Sequence, residues 1–164
     1  MRRAQFLFCL DLLLLLAMAF LQEPRRTSLA GHEWLGIAFA GLIVVHLLLN
    51  WRWIVAALTR VRASDSRRAR ISAALNTLLF VLMAIAVLSG LAISEVVLPL
   101  TGLASSGLAA WRGVHSFVAG SAVAVVGLHV ALNWDWITRV VRKGILQRSD
   151  NDAATEIELA SDAE

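Results

Sequence analysis

Charge is scarce in this 164-residue chain: Asp, Glu, Lys and Arg make up 16% of it, against 59% apolar residues. A soluble domain carries about a quarter charged residues, so this composition excludes a water-soluble globule and makes the bilayer the solvent. Cysteine is nearly missing as well. The single Cys9 rules out an internal disulfide, and no Cys-x-x-Cys-His segment occurs. Also absent are a phosphate-binding loop, a dinucleotide fingerprint and a nucleophile elbow, the signatures of common soluble enzymes. The net charge of +3 does not point to nucleic acid, because the arginines lie between apolar runs, as membrane topology uses them.

What is present is length without charge. A spanning helix needs roughly 20 mostly apolar residues, and four stretches qualify: Ala4 to Leu21, Leu29 to Leu58, Ile71 to Leu98 and Trp111 to Val141. The expected fold is an all-α integral membrane four-helix bundle. Arg2 and Arg3 before the first run, and Ala17-Met18-Ala19 within it, suit a cleaved signal. Asp11 inside the run favours a retained helix. Arg2, Arg3, Arg60, Arg62, Arg67, Arg68, Arg70, Arg139, Arg142, Lys143 and Arg148 fall on one side of the bundle and only Arg25, Arg26 and Arg112 on the other. Both termini are therefore expected in the cytoplasm. Trp34 and Trp111 near the outer ends, with Trp51, Trp53, Trp134 and Trp136 near the inner ends, form two interfacial belts.

The second and fourth spans repeat each other. His32 and His46 recur at an offset of 83 as His115 and His129, and His46-Leu-Leu-Leu-Asn-Trp-Arg-Trp-Ile reappears as His129-Val-Ala-Leu-Asn-Trp-Asp-Trp-Ile. The chain is a degenerate duplication of a two-helix unit. Leu10-Asp11 and Leu75-Asn76 give the first and third spans a fainter echo of the same kind.

All four histidines lie within spans, where ionisable side chains are costly and usually functional. Fourteen residues separate the two on each helix, about 21 Å of rise and about 40° from full register in a straight helix. Supercoiling at 3.5 residues per turn brings them onto one face. The two helices run the same way, so His32 is level with His115 and His46 with His129. Facing imidazoles in a bundle core are the arrangement that ligates haem iron axially. Gly36 and Ala119 lie one turn beyond the outer histidines, and Gly41 aligns with Ala124 between the levels, which leaves room for flat macrocycles. Any haem would be b-type and non-covalent, and two are expected.

Other readings share these residues. A lone histidine in a span is commonly a hydrogen-bonded packing residue, and imidazoles also suit copper or zinc. Neither level has a cysteine, methionine or carboxylate beside it to complete such a shell. A haem-free proton or ion channel lined by histidines is a third reading. Asn50 and Asn133 follow the inner histidines by four residues and are candidate donors to a haem propionate, as is Arg112, three residues before His115. Helix-to-helix hydrogen bonding and snorkelling are the alternative roles.

The repeated His-x13-His on alternate helices, with Asn-Trp-x-Trp-Ile after each inner histidine, resembles small bacterial di-haem b-type membrane cytochromes, especially the four-helix flavinylation-associated cytochromes. The resemblance covers about residues 5 to 145. It implies bis-histidine, low-spin haems ligated by His32, His46, His115 and His129, and a multi-pass location in the bacterial inner membrane. Electron transfer between quinol or a cytoplasmic donor and an external partner, often a flavoprotein, is the implied function. A stand-alone quinol or ferric-ion reductase is the enzymatic alternative.

The remaining segments are less informative. The uncharged stretch 96–110, with Pro99, Gly102 and Gly107, is expected on the outer membrane surface or over the outer haem. Glu95 suits a quinone-linked proton site or plain solvation. Residues 1–148 are expected to form the membrane domain. The tail 149–164, with six acidic residues, is expected to be disordered.

Overall fold

The computed structural model describes residues 3–60, 67–103 and 109–144. Among them there are only helices and turns: α1 (Arg3–Leu21), α2 (Pro24–Leu49), α3 (Trp51–Arg60), α4 (Arg67–Ala92), α5 (Val97–Leu100), α6 (Ala109–Leu132) and α7 (134–144). Four of these, α1, α2, α4 and α6, are long and apolar enough to cross a membrane. The expected all-α membrane bundle is what the chain forms. The C-terminal tail and the 148/149 boundary lie outside the described residues.

Close packing runs within two helix pairs, α1 on α2 and α4 on α6, and is sparser between them. Each pair is antiparallel, and an arginine ties its ends together. The Arg3 guanidinium donates to the Leu49 carbonyl at 3.0 Å, and that of Arg68 donates to the Leu132 carbonyl at 3.2 Å. Both carbonyls sit in a final helical turn, where no intrahelical donor remains. The pairs meet at a small core of Ala17, Met18, Phe39 and Ala122, with Leu82, Met83 and Val126 packed against it. Large apolar side chains elsewhere face outward, Leu16, Val44, Phe80 and Phe117 among them, as a lipid-facing surface requires. Trp34 and Trp111 are exposed at one end, and Trp51 and Trp134 at the other.

Polar side chains set the helix boundaries. Inside α2, Ser28 has a positive φ of 59° and its Oγ accepts from the Gly31 amide at 3.2 Å. This is an N-cap, so the spanning part begins at Leu29, the start expected from the sequence. Its end was expected at Leu58 and comes earlier. The Asn50 side-chain amide donates to the His46 carbonyl at 2.9 Å, and that of Asn133 to the His129 carbonyl at 2.8 Å. Asparagine competes in this way for backbone groups that would otherwise continue the helix. Each repeated Asn-Trp motif is thus a break, after which α3 and α7 start as separate helices.

The third span was expected to run to Leu98 and stops at Ala92. The cause is Glu33 of α2, whose carboxylate accepts from the Ser94 hydroxyl at 2.5 Å and from the amides of Glu95, Val96 and Val97 at 2.9–3.0 Å. The Ser94 hydroxyl oxygen in turn accepts from the Val97 and Leu98 amides. Backbone donors collected by a carboxylate are no longer free to extend α4, and the chain turns into α5.

Candidate functional site

The four histidines come together as two pairs. His32 and His115 face each other near the α5 end of the bundle, with ring centroids 6.2 Å apart and planes crossing at 85°. A metal–imidazole bond is about 2.0 Å, and a ring centre lies a little over 1 Å beyond its nitrogen. Two imidazoles on opposite sides of one metal atom therefore have centroids a little over 6 Å apart, which is the spacing found. At the arginine-rich end His46 and His129 lie within electrostatic reach of each other.

Two of the four rings are hydrogen-bonded by the helix paired with their own, and a third lies against a carboxylate of that helix. The His129 Nδ1 is 2.8 Å from the Asn76 Oδ1, and the His115 Nδ1 is 2.9 Å from the Ala86 carbonyl with the Ser89 Oγ at 3.3 Å. Ser89 is fully buried and donates its own hydrogen to the Ile85 carbonyl. A carbonyl oxygen accepts only, so Nδ1 carries the proton and Nε2 keeps its lone pair. His46 meets Asp11, Nδ1 to Oδ1, at 2.8 Å. Metal-bound histidines are ordinarily fixed in this way through the other ring nitrogen. The Nδ1 atoms of His32 and His46 are both buried without a hydrogen bond, and only that of His46 has a charged side chain beside it.

These contacts extend the internal repeat to α1 and α4. Arg3 and Arg68 tie helix ends, Asp11 and Asn76 hold the inner histidines, and Met18 and Met83 join the core, all at a constant offset of 65 positions. The faint echo of Leu10-Asp11 in Leu75-Asn76 is therefore structural. The sequence reading missed Glu33, Ser89, Gly90 and Ser94 altogether. A carboxylate next to His32 inside a span was the available signal.

Between the outer histidines a cleft opens, lined by His32, Gly36, Phe39, Met83, Gly90, His115 and Ala119 among others. Gly36 and Ala119 line it as expected, and a Cβ built on Gly36 would meet nothing within 4 Å. Gly90 is different, since a Cβ there would stand 3.0 Å from the His115 ring. Val97 of α5 also lines the cleft. No cluster of three or more His, Cys, Asp or Glu occurs among the described residues. The donor set is thus two imidazoles per level, which fits a cofactor bringing its own equatorial ligands.

The other expected site residues have framework partners. Arg112 forms an ion pair with Glu95, and Asn50 and Asn133 bond the backbone of the inner histidines.

A comparison with protein-family models matches residues 5–137 to prokaryotic cytochrome b561. The chain belongs to that family. No curated protein and no solved structure matches significantly. Membership makes this cytochrome a bacterial multi-pass membrane protein that transfers electrons across the bilayer by way of haem b. The haem iron supplies one-electron chemistry when bound.

Proposed function

We propose that this cytochrome spans the bacterial inner membrane and passes electrons through two bis-histidine b-type haems, the outer on His32 and His115 and the inner on His46 and His129. The observation that carries the reading is the outer pair: two imidazoles at the centroid spacing of axial ligands, across a cleft lined with small residues. The anchored Nδ1 atoms support it, because they leave Nε2 as the coordinating atom.

The protein's part is to position and to shield. Asn76 and Ala86 orient two of the rings before any ligand is bound, Asp11 stands against a third, and the lipid-facing helices keep water from the two levels. A bis-histidine site has no open coordination position, so the role is electron transfer and not substrate chemistry. Propionate contacts stand beside the framework bonds, since each asparagine keeps a second amide hydrogen and Arg112 keeps donors that Glu95 does not take. The donor is quinol or a cytoplasmic reductant, and the acceptor is a partner on the other face, a flavoprotein if the likeness to flavinylation-associated cytochromes extends to partners.

The test is a reduced-minus-oxidised absorption spectrum of the purified protein, with haem per chain measured as the pyridine haemochrome. Two b-type haems per chain are expected. Replacing His46 or His129 by Ala should remove the same haem, and replacing His32 or His115 the other, each leaving about half. Full retention in any one variant rejects that residue as a ligand, and a haem-free wild-type protein rejects the proposal.

A further inference from the structure

The two inner histidines are anchored by unequal groups at equivalent positions. In the α4–α6 unit the His129 Nδ1 rests on the amide oxygen of Asn76, and in the α1–α2 unit the His46 Nδ1 meets the carboxylate of Asp11, both at 2.8 Å. Asp and Asn have nearly the same shape, so the units differ here in charge and not in geometry. Among the described residues the ion-pair partner of Asp11 is His46 alone. A carboxylate held within a span without a fixed cation is costly, and some other positive charge has to balance it.

A ferric b-type haem provides that charge. Iron(III) in a porphyrin dianion with two neutral imidazoles carries one net positive charge at its centre, and one-electron reduction removes it. A carboxylate behind an axial imidazole also makes that ligand more basic. Both effects favour the ferric state. In the present structure the Asp11 and His46 atoms are 2.8 Å apart without being aligned for a hydrogen bond.

We propose that Asp11 is a positioning residue that acts through His46 to lower the midpoint potential of the inner haem. The inference rests on the two-haem reading. It opposes the pull of the arginines at the same end of the bundle, which favours the reduced form. Its consequence is that the inner site gives up an electron more readily than it would with asparagine at both positions.

The experiment is a spectroscopic redox titration of the purified wild-type protein and of Asp11→Asn, which converts the first unit into a copy of the second. Variants at His46 and at His32 assign the inner and outer components. Expected are two haems per chain, an unmoved outer potential and an upward shift of the inner one, read as a rise in the ferrous-to-ferric ratio at a fixed poise. The near-infrared charge-transfer band of the ferric inner haem should shift too, since it follows axial-ligand basicity. Asn76→Asp should move the inner potential down. An Asp11→Asn protein with both haems and an unmoved inner potential overturns the inference. If that variant fails to hold the inner haem, the absence of a downward shift in Asn76→Asp overturns it. A wild-type protein without two haems sinks the two-haem reading itself, a separate outcome.

Discussion

Gly90 offers a sharp test of how the outer site is built. It lies on α4 against the His115 imidazole, where an added Cβ would sit 3.0 Å from Cε1, 3.3 Å from Nδ1 and 3.9 Å from Nε2. Carbon contacts settle at about 3.5–4.0 Å, so Gly90→Ala forces the ring to move by roughly half an ångström. That movement works against the 2.9 Å bond to the Ala86 carbonyl. A weakened hydrogen bond costs about 1 kcal/mol and overpacking about 1–3 kcal/mol, together about 2–4 kcal/mol taken from the ligated state. At 1.4 kcal/mol per decade, outer-haem affinity falls by roughly 1.5 to 3 decades. Alanine is the better helix former by up to about 1 kcal/mol, so α4 itself should not suffer. Haem per chain and helical circular dichroism of the purified variant check this together. The expected result is loss of the outer haem with helix content and the inner haem retained. Two haems with an unmoved outer potential would refute the close approach.

Two further outcomes follow from the same geometry. The 85° crossing of the His32 and His115 planes leaves the two iron d orbitals that bond with the imidazoles nearly degenerate, so the ferric outer haem should give a strongly anisotropic low-spin EPR signal with a large maximum g value. A rhombic signal from that haem would mean parallel planes. Glu33→Ala removes the acceptor shared by the Ser94 hydroxyl and three backbone amides, at about 2–4 kcal/mol for the turn after α4. Faster hydrogen exchange in residues 93–103, with the inner haem unaffected, is expected.

How much of this was legible in the sequence depended on repetition and on hydropathy. Four apolar runs give the number of spans, and a histidine pair copied at one offset singles out four candidate ligands, because burial in lipid tolerates few alternatives. Asp11 and Asn76 were nearly invisible. Their offset of 65 differs by 18 from the offset of 83 that relates the histidines, because α1 and α2 are joined by Gln22 and Glu23 alone whereas residues 93–108 lie between α4 and α6. A single frame cannot align both helices of the unit. The helix ends at Asn50, Asn133 and Ala92 were hidden for another reason. Apolar residues resume a few positions beyond each, so the runs read as continuous, and what stops each helix is a specific side-chain bond to the backbone.

The unequal helix lengths carry a consequence for cofactor retention. α1 ends at Leu21, the counterpart of Ala86, whereas α4 runs on to Ala92. The turn of α4 that brings Ser89 and Gly90 against His115 therefore has no equivalent in α1, and the His32 Nδ1 is buried without a partner. The inner level has a polar group from the neighbouring helix at both imidazoles, and the outer level at only one. A missing partner of this kind typically costs a metal site 10- to 100-fold in affinity. The outer haem should accordingly leave first. Transfer of haem from the purified protein to excess apomyoglobin should be biphasic, with the fast phase absent from His32→Ala, which has no outer haem to lose, and present alone in His46→Ala. If the fast phase instead disappears with the inner haem, the partners on Nδ1 do not govern retention, and burial beneath α5 would be the stronger restraint on the outer site.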